Sequence, residues 1–237
     1  MNIKLIVSGS RPWELWIGHW GLSFIIDNDV LFDTFANYRV LSKKMRRAGI
    51  QQKDLRSVVI SHEHWDHVGG LWRLLEKQRG LTVYLPSKTQ ENIKRRVCAA
   101  GGHVIDSTGV KTLKPGVHVT DEIMGSVNGE PLPEQSVIVE SPKGLIIIVG
   151  CSHPGILTIV QNAKRAFNTP VYGVIGGFHL MDHSSTDIQQ CARDLANERI
   201  AFVSPTHCTG WRAERIFHDV FHEGFVPLRD GQTLSFA

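Results

Sequence analysis

Ser61-His62-Glu63-His64-Trp65-Asp66-His67-Val68-Gly69-Gly70 sets three histidines and an aspartate within six positions, directly after the apolar run Val58-Val59-Ile60. The apolar run reads as a buried strand, so the polar stretch is a loop leaving the end of that strand. Neutral imidazole and carboxylate are side chains that suit zinc, iron and manganese. A turn at the strand end can aim His62 and His64 at one ion while Asp66 and His67 diverge toward a second. A lone histidine here would be an ordinary polar loop residue. Four ligand types in this phase point to a two-metal centre.

The rest of the composition fits an enzyme. A chain of 237 residues with 42% hydrophobic content can bury a sizeable core, and the expectation is one domain over residues 1–237. The formal charge of +3 comes from basic residues spread along the chain. The clusters Lys43-Lys44-Met45-Arg46-Arg47 and Lys94-Arg95-Arg96 read as solvated helix faces, so neither a nucleic acid nor a membrane partner is expected. Cys98, Cys151, Cys191 and Cys208 are far apart without a CxxC pair. Met1 to Val7 is too short for a signal peptide, which makes a reducing cytoplasm the expected location. The longest aliphatic run, Leu145 to Val149, has the length of a core strand and not of a membrane span.

Working outward from the loop, Ile3 to Val7, Leu22 to Ile26 and Val30 to Phe32 read as strands, with a turn at Asp27-Asn28-Asp29. Val40, Leu41, Met45 and Ala48 recur at helical spacing and stop at Gly49. Beyond the histidine loop, Val68, Leu71, Trp72 and Leu75 share one face of a helix that ends by Gly80. Leu81 to Leu85 reads as a strand, and Pro86-Ser87 opens a helix through Ala99. Lys111 to Leu113, Val117 to Val119, Ser136 to Val139 and Leu145 to Val149 are short strands. The last third alternates helix 156–167, strand 171–175, helix 187–197, strand 200–203, helix 211–222 and a final strand pair. Two β-rich sheets, each covered by helices on its outer face, would bury this pattern as a four-layer αββα sandwich of the α/β class.

Three further clusters end predicted strands: Gly150-Cys151-Ser152-His153-Pro154-Gly155, Gly176-Gly177-Phe178-His179-Leu180 and Pro205-Thr206-His207-Cys208-Thr209-Gly210. Each puts a histidine at a strand-to-helix junction, where an α/β fold gathers its site residues. Singly each would be a core histidine; together with the first loop they form a constellation.

These residues carry a resemblance. His62-Glu63-His64-Trp65-Asp66-His67 resembles the HxHxDH signature of the metallo-β-lactamase superfamily. The GCSHPG, GGFHL and PTHCTG segments, with Gly21 to Phe24 and Leu31 to Thr34, resemble one branch of it: metal-dependent hydrolases and dihydropterin-methyl-ribofuranosylaminobenzene 5′-phosphate synthases. The resemblance implies the αββα fold. It also implies that His62 and His64, with His153 as the remaining histidine, bind one of two divalent transition-metal ions, and that Asp66, His67 and His207 bind the other. Zinc is the first expectation, manganese and iron the alternatives. Asp33 matches an aspartate that supports the histidine loop from the neighbouring strand. The common superfamily pattern has a histidine before one strand and a metal-bridging aspartate at the end of the next. This chain has Glu134-Gln135 before Ser136, and Gly150-Cys151-Ser152-His153 after Val149. Cys151 is either a thiolate ligand or a small buried hydrophobe, the commoner role of a free cysteine, and Cys151→Ser is expected to keep metal on the second view. Glu134 and His179 are open between ligand and substrate contact.

Two metals about 3.5–4 Å apart bring a bridging water to ionise near neutral pH, which serves hydrolysis of an ester, lactone, amide or phosphoester. Asp66 is the expected orienter of that nucleophile, and His179 the group that steadies substrate charge or protonates the leaving group. The synthase chemistry of the branch is the alternative, since the same cage can assist diphosphate departure from a small-molecule substrate. A non-catalytic metal-binding protein is a further alternative, weakened by retention of the ligand set. A di-iron redox centre goes with a glutamate at the position held here by His64. Among the tryptophans, Trp72 is packing, while Trp65 alternates with ligands and is a candidate stacking surface for substrate.

Overall fold

Along Val58 to Ile60 and Leu145 to Val149, neighbouring residues belong to different hydrophobic clusters, and this alternation builds the layers. The computed structural model describes residues 1–236. Its first half runs β1 (Asn2–Gly9), α1 (Pro12–Trp16), β2 (Gly21–Ile26), β3 (Val30–Phe32), α2 (Tyr38–Arg47), β4 (Ser57–Val59), α3 (Trp65–Val68), α4 (Leu71–Lys77), β5 (Thr82–Pro86), α5 (Glu91–Ala99) and β6 (His103–Ser107). The second half runs β7 (Lys111–Lys114), β8 (Val117–Val119), β9 (Ile123–Val127), β10 (Glu130–Glu134), β11 (Val137–Ser141), β12 (Gly144–Val149), α6 (Ile156–Phe167), β13 (Val171–Gly177), α7 (Ser185–Asn197), β14 (Phe202–Thr206), α8 (Trp211–Phe221) and β15 (Thr233–Ser235). One sheet has seven strands in the order β15-β1-β2-β3-β4-β5-β6 and the other six, β14-β13-β12-β11-β8-β7.

Val58 and Ile60 join Leu41, Met45, Leu71, Leu74 and Val97 in a cluster between the first sheet and α2, α4 and α5. Val59 turns the other way, into a cluster shared with Ile146, Ile148 and Val137 of the second sheet. On β12, Leu145, Ile147 and Val149 face Ile156, Ile159, Ile188 and Phe217 of α6, α7 and α8. Three clusters are thus the three interfaces of four layers, the expected αββα sandwich. Each fully buried Leu, Ile or Val contributes about 1.5–3 kcal/mol, so the interfaces carry most of the fold's stability.

Several elements depart from the expectation. The helix expected from Val68 is two short ones, α3 and α4, parted at Gly69-Gly70. A Cβ at either glycine would collide with the carbonyl of Ala36 or Thr34, so the break lets the segment after β3 press against the histidine loop. The helix expected from Pro86 starts at Glu91. Pro86 instead ends β5, Thr89 N–H turns back to its carbonyl at 3.0 Å, and Glu63 takes the Gln90 N–H at 2.9 Å. The ribbon β9–β10 was not expected: Pro131 and Pro133 discourage a strand, and these residues pair only with each other outside both sheets. The final strand pair is a single strand, β15, whose partner is β1 at the far end of the chain.

Candidate metal centre

The loops that leave β3, β4, β12, β13 and β14 meet at one end of the sandwich. Holding them there strains the backbone: Asp33, Ser152, His179 and His207 have φ of 55, 65, 51 and 53°, in the left-handed region that non-glycine residues avoid. Gly150 is required for a different reason, since a Cβ there would collide with Ser61 Oγ across the inter-sheet gap.

Hydrogen bonds fix which ring nitrogen of each histidine faces the centre. Asp33 Oδ1 accepts from Ser61 N–H at 2.7 Å, and Asp33 Oδ2 accepts from Ser61 Oγ at 2.7 Å and His67 Nδ1 at 2.6 Å. Ser61 has spent its only hydroxyl proton on Asp33, so at 2.9 Å it accepts from His62 Nδ1. His207 Nδ1 donates to the Gly9 carbonyl at 2.8 Å. His62 and His207 therefore turn a Nε2 lone pair inward, and His67 turns its Nε2 inward, where loss of a proton leaves the lone pair that a histidine ligand needs.

The inward atoms fall into two sets. His62, His64 and His153 offer donor atoms within 4.8 Å of one another, and so do Asp66, His67 and His207. His62 Nε2 lies 3.0 Å from His64 Nδ1, while Asp66 Oδ2 lies 3.4 Å from His67 Nε2 and 3.2 Å from His207 Nε2. Two ligands on a tetrahedral ion with bonds of about 2.0–2.1 Å stand ~3.3 Å apart, the same spacing. The 3.2 Å approach of Asp66 to His207 lacks hydrogen-bonding direction: His207 Nε2 is buried without a partner, as are both ring nitrogens of His153. Buried polar atoms left unpaired are costly, and a metal ion held by each set would satisfy them. The donor set fits first-row divalent ions.

Electrostatics divide the same residues. Burial, reinforced by neighbouring histidines, drives His62 well below the usual imidazole range and takes His153 down to about 3, so both present free lone pairs at neutral pH. For Asp66 burial opposes ionisation, but His67 and His207 outweigh it and hold the carboxyl well below its usual range. Burial also opposes charge on His67, yet Asp66 and Asp33 push it up to about 9.

Residues that sequence reasoning left open or passed over complete the arrangement. Cys151 is buried, with Sγ 3.3 Å from His67 Nε2, and its thiol shares donor groups with His62 and His67, with His207 and Cys208, and with His153 and His179. Glu134, 1% exposed, accepts from the backbone N–H groups of Cys151, Ser152 and His153 at 2.8, 2.8 and 2.7 Å. Gln135 ties the other sheet: its side chain donates to the Ile60 carbonyl at 2.8 Å and its N–H to the Ser61 carbonyl at 2.9 Å. These two residues brace both metal-facing loops from the end of β10. The departure from the superfamily pattern at this position was the signal. Trp20 tilts over the His207 ring at 5.0 Å.

The centre opens into a cleft of about 410 Å³ whose lining includes Trp20, His64, Trp65, Asp66, His179 and His207. Trp65 is 53% exposed at its edge. His179 is exposed, its ring 4.2 Å from that of His153, and the neighbouring Cys208 raises its pKa. All the expected ligands converge here, with Trp65 and His179 at the rim and Asp33 behind His67.

The structure superposes on a crystal structure described as a metal-dependent hydrolase of the beta-lactamase superfamily with a TM-score of 0.81, 25% identity, and coverage of 100% of this chain and 99% of the other. This is a metallo-β-lactamase fold. Residues 28–138 match the family model of the beta-lactamase superfamily domain. The metallo-β-lactamase fold protein YhfI from Bacillus subtilis superposes at a TM-score of 0.70 over 99% of each chain with 14% identity, a likeness of fold alone. A Methanocaldococcus jannaschii protein named 7,8-dihydropterin-6-methyl-4-(beta-D-ribofuranosyl)-aminobenzene-5'-phosphate synthase is 28% identical over 93% of this chain and 91% of its own length. Fold and branch both agree with the resemblance read from the motifs. Among the described residues, no helix is long and apolar enough to cross a membrane.

Proposed function

We propose that the chain is a single-domain, dinuclear metal-dependent hydrolase acting on an ester, lactone, amide or phosphoester, with zinc as the first candidate ion. The observation that carries this reading is the pair of histidines, His153 and His207, whose buried ring nitrogens have no partner and sit one residue in each donor set. His62, His64 and His153 would hold one ion and Asp66, His67 and His207 the other. Bound there, the pair would bring a shared water to ionise near neutral pH and polarise the substrate's oxygen. Cys151 belongs with the ligands in this reading, because its thiol stands among both sets, where the superfamily pattern has its bridging aspartate. In this reading it takes a ligand role in addition to packing.

The chain's own residues supply the remainder. Asp66, ionised and aimed between His67 and His207, orients the attacking water. His179 stands at the open side of His153, kept more readily protonated by Cys208, and donates to the departing oxygen or nitrogen. Asp33 keeps His67 in the tautomer that binds, and Trp65 walls the cleft.

Metal analysis of purified protein tests the cage: about two first-row ions per chain are expected, and a stoichiometry well below one after zinc or manganese supplementation overturns it. A panel of ester, lactone, phosphodiester and lactam substrates, with and without chelator, tests the reaction class. The relation to the M. jannaschii protein supports a second reading, a transferase of the kind that protein's name describes, using the same cage. Product analysis with a pterin diphosphate and an aminobenzene acceptor separates the two.

A further inference from the structure

The His153–His179 pair is a partition. On one side lies the metal-facing cleft, and on the other a second cavity of about 380 Å³, to which His153, His179 and His183 also contribute. Its floor is apolar, made by Ile156 and Leu157 at the start of α6 and by Phe178 and Leu180 beyond β13. Its far wall is α7, which contributes Asp187 and Asp194. Seven residues of helix separate these carboxylates, so the wall runs ~10 Å away from the site. Neither cavity is lined by a lysine or arginine.

We propose that this second cavity is a substrate lobe for an apolar chain or ring that is uncharged or ends in a cation, and that it excludes groups carrying phosphate or sulfate. The inference rests on the metal-dependent reading of the neighbouring cleft. A substrate whose scissile bond lies at the donor sets has its next atoms at the partition, and beyond it the apolar floor rewards burial of hydrocarbon. Asp187 and Asp194 add a negative potential that an ammonium complements and an anion opposes. An anion remote from the metals would enter without a permanently charged partner, a poor exchange for its hydration.

The test is calorimetric binding to the metal-loaded protein at pH 7.5 of three probes that share an eight-carbon tail: octyltrimethylammonium, 1-octanol and octyl sulfate. The ammonium is expected to bind at least tenfold more tightly than the sulfate, with the alcohol between. Leu157→Trp, which fills the lobe, should weaken the ammonium at least tenfold with metal content unchanged, and Asp194→Lys should shrink the ammonium-to-sulfate ratio to near one. Sulfate binding as tight as ammonium, or binding indifferent to both substitutions, overturns the proposal. In parallel, kcat/KM for a series of alkanoate esters should rise about fourfold per buried methylene before levelling. Hydrolysis without chain-length dependence counts against the lobe alone. Probe binding with no hydrolysis of any ester keeps the lobe and counts against the hydrolase reading.

Discussion

His67 shows how far one side chain can be shifted by its surroundings. Its burial alone would favour the neutral ring, yet Asp33 behind it and Asp66 beside it lift its pKa from 6.5 to about 9. Below about pH 9 the metal-free protein thus holds a proton on His67 that an arriving ion must displace. His153, down to about 3, holds none near neutrality. Metal uptake at pH 7 should therefore release about two protons, one from His67 and one from the Cys151 thiol, which burial pushes well above its ordinary range, with affinity climbing as pH rises through 9. Calorimetry in buffers of different ionisation enthalpy reads that number directly, and a proton release independent of pH between 6 and 10 would contradict it. Asp33→Ala strips partners from Ser61 N–H, Ser61 Oγ and His67 Nδ1 at once. It should weaken metal binding about 10–100-fold, measured by chelator competition. Asp66→Ala should empty the second donor set selectively, leaving about one ion per chain.

At the scale of elements, the short ribbon β9–β10 matters more than its size suggests. Glu134 ends β10 with three backbone N–H groups on its carboxylate, and Gln135 reaches across to β4. Glu134→Leu leaves those amides buried and unpaired, each costing about 1–3 kcal/mol. The expected result is a fall in melting temperature together with loss of His153-side metal. A cobalt(II)-loaded Glu134→Gln variant should recover most of the visible ligand-field spectrum of the parent, because the amide oxygen still accepts. Identical spectra and affinity in the leucine variant would show that the loop needs no brace.

Across the whole molecule, the centre joins the two sheets. The loop after β4 supplies His62, His64, Asp66 and His67, while loops after β12 and β14 supply His153, Cys151 and His207. Ions held there would cross-link layers that otherwise meet through hydrocarbon and a few polar contacts, such as Gln135 on Ile60 and His207 on Gly9, and binding to the folded state would add about 4 kcal/mol when free metal is ~1,000 times its Kd. Chelation should therefore lower the melting temperature by several degrees. Hydrogen exchange should quicken first in the loops after β4 and β12, and last in the inter-sheet strands around Val59 and Ile148. Uniform exchange throughout would show that the ions do not bridge the sheets.

The sequence by itself determined the layers and the first donor loop. Both are local: alternation at period two along Val58 to Ile60 and Leu145 to Val149 sorts side chains between faces, and His62 to His67 lie within one turn of the chain. The histidines at 153, 179 and 207 were legible as strand-end residues, and their common destination came from the resemblance. Tertiary structure decided everything that depends on two loops meeting. Cys151 looked like a small hydrophobe because a free cysteine usually is one, and only its approach to His67 from the opposite sheet places it among donors. Glu134 and Gln135 showed no periodic signal, since their partners lie in the backbones of other strands. The helix start at Glu91 was moved by Glu63, a residue far from it in sequence. Local pattern fixes which face a side chain takes; which faces then touch is set by packing, and that information is written only in pairs of residues distant along the chain.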